Sequence, residues 1–247
     1  MRLEGARVLL TGADGGIGSV LAPRLVARGA DLVLSGLHAD RLAREARALS
    51  CEHVPWALCS AADAFALGEK VGPVDVVVHG AGLGHRGPME DMAVERLDEL
   101  VTLDLTVPIA LTRAVLPDML DRGAGHVCFV GSIAGQVAVA EEAAYAAAKG
   151  GLAVFADSLR LEVGRRGVEV SVVAPAAVDT EFFARRGVPY HRRHPGPMDP
   201  DRVARAIVRA VERAAPRTIV PGWMAAAVAV RGAAPRLYDR LARRFDG

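Results

Sequence analysis

Thr11-Gly12-Ala13-Asp14-Gly15-Gly16-Ile17-Gly18 stands between a short apolar run, residues 6–10, and a stretch with apolar side chains at helical spacing, residues 20–26. The pattern predicts a buried strand, a glycine turn and a helix. Glycines permit a tight turn and let backbone N–H groups approach a pyrophosphate at the helix N-terminus. An ordinary glycine-rich turn has the same composition, so the surrounding chain must decide between the two interpretations.

The surrounding chain alternates strand-like and helix-like segments. Strands are predicted near 8–10, 32–34, 53–57, 74–78, 126–130, 169–173 and 218–220, and helices near 16–28, 39–48, 61–69, 91–121, 143–166 and 200–213. Such alternation predicts an α/β fold, a parallel sheet with helices on both faces. We expect one domain over residues 1–247, since no linker or internal repeat interrupts the pattern. The motif at 11–18 then marks the first unit of a dinucleotide-binding fold.

Bulk composition excludes several classes of function. A formal charge of +1 provides no large positive field, which argues against nucleic acid as a partner. The three cysteines show no paired spacing, and Met1 leads almost directly into the first strand, so we expect a reduced, cytoplasmic protein without a signal peptide. No second histidine or cysteine stands at metal-ligand spacing, so no metal site is predicted.

Tyr145-Ala-Ala-Ala-Lys149, with Ser132 upstream, carries the chemistry. Residues four apart on a helix share a face, so the lysine charge should favour the phenolate and lower the pKa of Tyr145. The tyrosine could then exchange a proton near neutral pH, while the Ser132 hydroxyl holds a carbonyl or alcohol oxygen. An isolated Tyr-x-x-x-Lys match is common by chance, and the glycine motif is what raises its significance.

Ligands of doubly wound sheets bind beyond the carboxyl ends of the strands. That rule brings several segments to one edge of the sheet. They are the glycine turn at 12–18, Gly36 and Leu37, the segment 79–82, Ser132 and the segment 175–180.

The chain resembles the short-chain dehydrogenase/reductase family over nearly its whole length. The resemblance lies in the motif at 11–18, in an Asn-Asn-Ala-Gly-like segment at 79–82, in Gly131-Ser132, in Tyr145-x-x-x-Lys149 and in Pro175-x-x-Val178-x-Thr180. It implies a Rossmann-type doubly wound parallel sheet of about seven strands and a nicotinamide cofactor. It also implies a homodimer or homotetramer formed through the long helices, here 91–121 and 143–166.

The resemblance also implies roles for single residues. Tyr145 would donate or accept the proton, Lys149 would bind the nicotinamide ribose, and Thr180 with the backbone near Val178 would hold the carboxamide. The residues expected to bind the cofactor are Gly12, Asp14, Gly15, Gly16, Ile17, Gly18, Gly36, Leu37, His79, Ala81, Gly82, Tyr145, Lys149, Pro175, Val178 and Thr180. Ser132, Tyr145, Lys149 and Asp104 are the expected catalytic residues.

Four positions depart from the family pattern. Asp104 replaces an asparagine that helps to hold a water linked to the lysine. It is either a tolerated isostere or a negative charge that partly cancels the effect of Lys149 on Tyr145. His79 and Gly80 replace two asparagines, and His79 is either a ligand or relay, or a structural histidine. Ala176 replaces a glycine, which narrows the pocket only by a methyl group.

The dinucleotide is predicted from the end of the second strand. NAD enzymes of this fold carry an acid there, which binds the ribose 2′-hydroxyl. Gly36 removes the repulsion against a 2′-phosphate, whereas Leu37 supplies no positive charge, and His38 or Arg41 would have to substitute. Asp14 adds a negative charge that does not help. On balance the sequence favours NADP(H) over NAD(H).

Two segments bear on the substrate. Residues 181–199 form the longest irregular stretch and are predicted to be a mobile lid. Its basic residues either recognise an anionic substrate or carrier protein or simply face water; they are Arg185, Arg186, His191, Arg192, Arg193 and His194. The tail, 221–247, contains an apolar run of eight residues, too short for a bilayer that needs about 20. We expect a tail helix on the cleft or on a neighbouring subunit rather than on a membrane surface.

Three functions remain open from the sequence. The first is an oxidoreductase that interconverts a carbonyl and an alcohol on an apolar small molecule. The second uses the same site for a non-redox elimination or epimerisation. The third is a non-catalytic dinucleotide-binding regulator, against which the intact Ser132, Tyr145 and Lys149 set argues.

Overall fold

The computed structural model describes residues 1–188, 190 and 196–245. In that part of the chain, seven strands form one parallel sheet in the order β3-β2-β1-β4-β5-β6-β7. The strands are β1 (Arg7–Thr11), β2 (Asp31–Gly36), β3 (Glu52–Pro55), β4 (Val76–His79), β5 (Gly125–Val130), β6 (Val168–Pro175) and β7 (Arg217–Val220). The central strands are almost continuously apolar because helices cover both faces of the sheet. The predicted doubly wound, Rossmann-type fold is confirmed.

Helices cover both faces of the sheet. The helices are α1 (Gly18–Val26), α2 (Ala39–Leu49), α3 (Ala61–Val71), α4 (Val94–Val101), α5 (Val107–Arg122), α6 (Ala143–Val163), α7 (Phe182–Arg185), α8 (Pro200–Arg213), α9 (Ala225–Ala233) and α10 (Pro235–Phe245). One buried cluster joins α1, α2 and α8 to one face of the sheet, and a second joins α3, α5 and α6 to the other.

The strand order reverses between β1 and β4, since the chain first winds outward to β3 and then returns past β1. The carboxyl ends of β1 and β4 therefore flank a crevice, the usual position of a ligand in doubly wound sheets. Thr11 pairs with His79 at this point, and the Thr11 hydroxyl accepts hydrogen bonds from the amides of Gly80 and Ala81. The glycine turn and the segment after β4 are thereby held side by side.

The helix predicted over 91–121 is present as one helical run, Val94–Arg122, but it is not α-helical throughout. The chain forms α4, then a π-helical turn at Thr102–Thr106, then α5. Such a turn widens the backbone spiral and is frequent at functional sites. Asp104 lies in this turn and is fully buried. Single-residue spacing rules cannot reveal this change of period.

One helical run, Val94–Arg122, has the length and apolar composition that could span a membrane, with 39% of its most apolar window buried. Length and composition are weak evidence, because core helices satisfy the same test. In this fold α5 packs against α3 and β5. The apolar composition of this run is therefore explained by its packing in a helical layer against the sheet.

The lid and the tail each contain helices. The predicted lid begins with α7, while Pro189 and residues 191–195 lie outside the described part, and with them His191, Arg192, Arg193 and His194. The tail forms α9 and α10. Tyr238 of α10 donates a hydrogen bond to the carbonyl of Ala138, at 2.6 Å. This contact places the tail on the loop that follows β5.

Candidate active site

A cavity of about 1020 Å³, called the cleft below, opens at the carboxyl ends of the strands. All the predicted site residues lie in the described part of the chain, and most line it. Those that do are Gly12, Asp14, Gly15, Gly16, Ile17, Gly18, Gly36, Leu37, Ala81, Gly82, Ser132, Tyr145, Lys149, Pro175, Val178 and Thr180. Asp104 and His79 do not line it. One cleft thus contains both the glycine turn and the Ser/Tyr/Lys set.

The glycine turn forms an open cradle. A Cβ at Gly12 would lie 2.6 Å from the Ala81 nitrogen, and one at Gly16 would lie 2.4 Å from Thr180 Cγ2. Gly12 also has a φ of +65°, which favours glycine. Within the described residues, the amides of Gly16 and Ile17 donate to no backbone carbonyl. Free amides at a helix start suit a pyrophosphate, so the cradle fits a dinucleotide.

Ser132 is placed by a close contact between two backbones. It follows β5 and precedes a 3₁₀ turn, Ile133–Gly135, and its hydroxyl accepts a hydrogen bond from the Ala134 amide at 3.1 Å. A Cβ at Gly135 would lie 2.6 Å from the carbonyl carbon of Lys149. Only a glycine lets the Ser132 loop rest directly on α6. The sequence does not indicate this role of Gly135.

Asp104 and Lys149 form a buried ion pair behind the cleft. Lys149 Nζ lies 3.4 Å from Asp104 Oδ1, which also accepts a hydrogen bond from the Leu83 amide at 2.9 Å. Burial raises the pKa of the Asp104 carboxyl, while the lysine and the amide act in the opposite direction. A Cβ at Gly82 would lie 2.7 Å from Asp104 Oδ1, so the pair also needs this glycine. Within the described residues, Asp104 Oδ2 is buried without a hydrogen-bond partner.

The expected acidic phenol at Tyr145 is not what the structure shows. Burial raises the pKa of Tyr145 above its ordinary value, and the negative charge of Asp104 raises it further. A hydrogen bond with Ser132 acts in the opposite direction. Lys149 Nζ is 5.9 Å from the centre of the tyrosine ring and pairs with Asp104. Burial and the Asp104 charge therefore outweigh the hydrogen bond from Ser132, and of the two interpretations of Asp104 the structure favours the charged one.

His79 is a core residue. Its ring stacks on Phe129, with 4.8 Å between ring centres, and its Nε2 lies 3.0 Å from the hydroxyl of Thr112. Burial lowers the pKa of His79 to about 3. The expectation of a cofactor contact through the His79 side chain is therefore wrong, because the imidazole packs in the interior.

The burial of His79 should make stability depend on pH. The unfolded chain binds a proton near pH 6.5 and the folded chain only near pH 3, so the free energy of unfolding falls as the pH drops through this window. In His79→Asn, we expect the dependence of the free energy of unfolding on pH to be smaller by about 1.4 kcal/mol per pH unit. Urea unfolding between pH 7 and pH 4.5 measures it, with the exposed His53→Asn as the control. An unchanged slope in His79→Asn would contradict the assignment.

A buried ion pair holds the start of the predicted lid in place. Arg186 Nη1 lies 2.6 Å from Glu142 Oε1, and both side chains are largely buried. The Arg186 guanidinium also lies over the Phe183 ring at 4.5 Å, and Phe182 lies 5.9 Å from the ring of Tyr145. The sequence alone leaves open that the basic residues of 181–199 simply face water. For Arg186 this is wrong, because its side chain is buried and paired with Glu142. Nothing in the sequence pairs this arginine with Glu142.

Comparison with known proteins identifies the family. The family model described as short chain dehydrogenase matches residues 6–188. A fruit fly (Drosophila melanogaster) protein, named dehydrogenase/reductase SDR family protein 7-like, is 31% identical over 96% of this chain and 79% of its own length.

Two solved structures are similar in fold. A short-chain dehydrogenase from Sphingobium yanoikuyae, solved with NADPH, is 29% identical, has a TM-score of 0.82, and is matched over 92% of this chain and 94% of its own. A short-chain dehydrogenase/reductase from Burkholderia phymatum, solved with NAD, is 21% identical, with a TM-score of 0.86 and 96% of each chain covered. The second similarity shows the fold alone.

Proposed function

Because this chain belongs to the short-chain dehydrogenase family, we propose that it is an oxidoreductase that interconverts a carbonyl and an alcohol with a nicotinamide dinucleotide. One observation carries the proposal: the glycine cradle and the Ser132, Tyr145 and Lys149 side chains line the same cleft. The 29% identical relative solved with NADPH supports the choice of cofactor.

The proposed chemistry divides the work between cofactor and protein. When bound, the nicotinamide supplies or accepts the hydride at the substrate carbon. Ser132, whose hydroxyl accepts from the Ala134 amide and is hydrogen-bonded to Tyr145, orients the substrate oxygen beside the tyrosine. Tyr145 transfers the proton to or from that oxygen. The raised pKa of Tyr145 keeps the phenol protonated at neutral pH, the form that a carbonyl reduction requires.

The substrate proposed is a fairly apolar small molecule. The cleft is lined by aliphatic and aromatic side chains from the loop after β5, the predicted lid and the tail, and Phe182 among them lies next to Tyr145: Val137, Val139, Phe182, Phe183, Trp223, Met224 and Val230. Apolar walls with a few convergent polar groups are typical of small-molecule sites.

The direct test follows nicotinamide absorbance at 340 nm while NADH or NADPH is incubated with a panel of apolar ketones and aldehydes. Oxidation of the cofactor in step with alcohol formation, measured by mass spectrometry, is the expected result. A product formed without net change in absorbance would favour elimination or epimerisation. Binding of the dinucleotide without turnover on any of the panel would favour a regulator.

Asp104→Asn should shift the pH dependence of the reverse reaction. Alcohol oxidation needs the phenolate, so its rate rises with pH towards the pKa of Tyr145. Removing the Asp104 charge lowers that pKa, since the charge raises it in the native chain. We expect the rising limb to move to lower pH, with oxidation at pH 8 faster by about three- to tenfold. A limb that stays in place or moves to higher pH would contradict this role of Asp104.

We also propose that the protein is a homo-oligomer and that it is cytoplasmic. Val154 and Leu161 on α6 are 66% and 80% exposed, and they lie seven residues apart on one face of the helix. This exposed apolar face supports the expected homodimer or homotetramer. A cytoplasmic location follows only from the cysteine usage.

A further inference from the structure

Asp14 lies in the space that a side chain at the end of β2 would occupy. A Cβ built on Gly36 would be 2.2 Å from Asp14 Oδ1 and 2.7 Å from its Cγ. No side chain fits at position 36 while the carboxylate is there. The missing acid of β2 is therefore replaced in space by an acid from the glycine turn, 22 residues earlier in the chain.

The Asp14 carboxylate is held through one of its two oxygens. Oδ2 accepts a hydrogen bond from the His38 amide at 2.9 Å and lies 2.6 Å from His38 Nδ1. The hydrogen bonds that Asp14 accepts from the described residues all go to Oδ2 and none to Oδ1, and Asp14 lines the cleft. Only 7% of Asp14 is exposed, so its position is well defined. One acceptor oxygen is left for a ligand at this corner.

Positive groups at this corner are few. Leu37 is 66% exposed and uncharged. Arg41, one sequence candidate for binding a phosphate, has its nearest acids in Glu45 at 4.0 Å and Glu181 at 3.9 Å, and it is not among the residues that line the cleft. His38 lines the cleft, but its ring faces Asp14. The described residues thus leave a negative carboxylate with one histidine beside it.

We propose that Asp14 makes this chain prefer NAD(H) over NADP(H), by accepting a hydrogen bond from the adenosine ribose and repelling a 2′-phosphate. An acid at this corner has that effect in dinucleotide-binding folds, where it normally comes from β2. The proposal rests on the proposed use of a nicotinamide dinucleotide. It reverses the preference for NADP(H) that the sequence predicts. That prediction rests on the missing side chain at Gly36, whereas in the fold the Asp14 carboxylate occupies the same space.

Parallel fluorescence titrations of the full-length chain with NADH and NADPH test the proposal by binding alone. We expect the native chain to bind NADH at least about tenfold more tightly than NADPH. Asp14→Asn keeps the shape and removes the charge, so it should tighten NADPH binding and reduce the ratio at least about fivefold. Asp40→Asn, an exposed acid in the first turn of α2, is the matched control and should leave the ratio unchanged.

A swap variant keeps the proposal testable if the Asp14→Asn protein folds poorly, which circular dichroism would reveal. Asp14→Gly combined with Gly36→Asp returns the acid to β2 and should restore a preference for NADH that Asp14→Gly alone loses. The tip of the Leu42 side chain must move slightly, because it lies 2.8 Å from the position that a Cβ at residue 36 would take.

The outcomes separate this proposal from the proposed function. Native protein that binds NADPH as tightly as NADH, or more tightly, overturns the role of Asp14 and leaves the oxidoreductase intact. Equal weakening of both dinucleotides in Asp14→Asn also overturns it, because that result indicates a purely structural aspartate. Binding of neither dinucleotide to the native chain overturns the proposed function itself.

Discussion

Tyr145→Phe is expected to reduce turnover by about 10²- to 10⁴-fold, the usual contribution of a positioned general acid. The substitution removes one hydroxyl and keeps the ring, which packs at 5.9 Å from Phe182. The glycine cradle on the other side of the cleft is untouched. Cofactor affinity should therefore stay within about twofold of the native value. Steady-state kinetics and a dinucleotide titration on the same preparation measure both quantities.

Tyr238→Phe is the matched control for this experiment. Tyr238 also lines the cleft, but its hydroxyl donates to the carbonyl of Ala138 and belongs to the tail. Loss of that hydroxyl should change turnover far less than loss of the Tyr145 hydroxyl. Native-like turnover in Tyr145→Phe would reject Tyr145 as the proton donor and, with it, the proposed division of labour in the cleft.

Lys149→Met should destabilise the fold as well as impair the site. It leaves Asp104, which is fully buried, without its counter-charge. Removing one partner of a buried ion pair typically costs about 3–5 kcal/mol, because the remaining charge stays desolvated. We expect a loss of this size in the free energy of unfolding, measured by urea titration at pH 8. The exposed Lys70→Met is the control for loss of a lysine.

The double variant Asp104→Asn/Lys149→Met separates stability from catalysis. Asparagine is close in shape and retains an oxygen for the Leu83 amide, so the double variant has no uncompensated buried charge. It should recover most of the stability lost in Lys149→Met, while turnover stays low. A double variant as unstable as Lys149→Met would show that the lysine stabilises through its packed alkyl chain rather than through its charge.

Much of this site could be predicted from the sequence because its parts follow strands. Gly12, Ser132 and Thr180 each stand just after an apolar run, and parallel strands bring such positions to one edge. The Tyr145 and Lys149 pair follows from helical spacing alone. These inferences use local periodicity and one topological rule, which is why the structure confirms the fold and places these residues together.

The remaining features depend on contacts between distant segments. The raised pKa of Tyr145 comes from burial and from Asp104, which lies in a π-helical turn that no apolar period reveals. His79 follows β4 as a site residue would, yet its ring packs on Phe129. Asp14 and Gly36 are separate positions in the sequence, whereas in the fold they share one volume. Each of these features depends on the direction of a side chain or on a contact between distant segments, which local sequence patterns do not reveal.

The close contact at Gly135 has a mechanical consequence. The loop that carries Ser132 contacts the main chain of α6 directly, because Gly135 has no side chain to separate the two backbones. Close-packed backbones transmit displacement rather than absorb it. We therefore expect the Ser132 loop and α6, which carries Tyr145, to move together, so that the distance between the Ser132 and Tyr145 hydroxyls is preserved when the helix shifts.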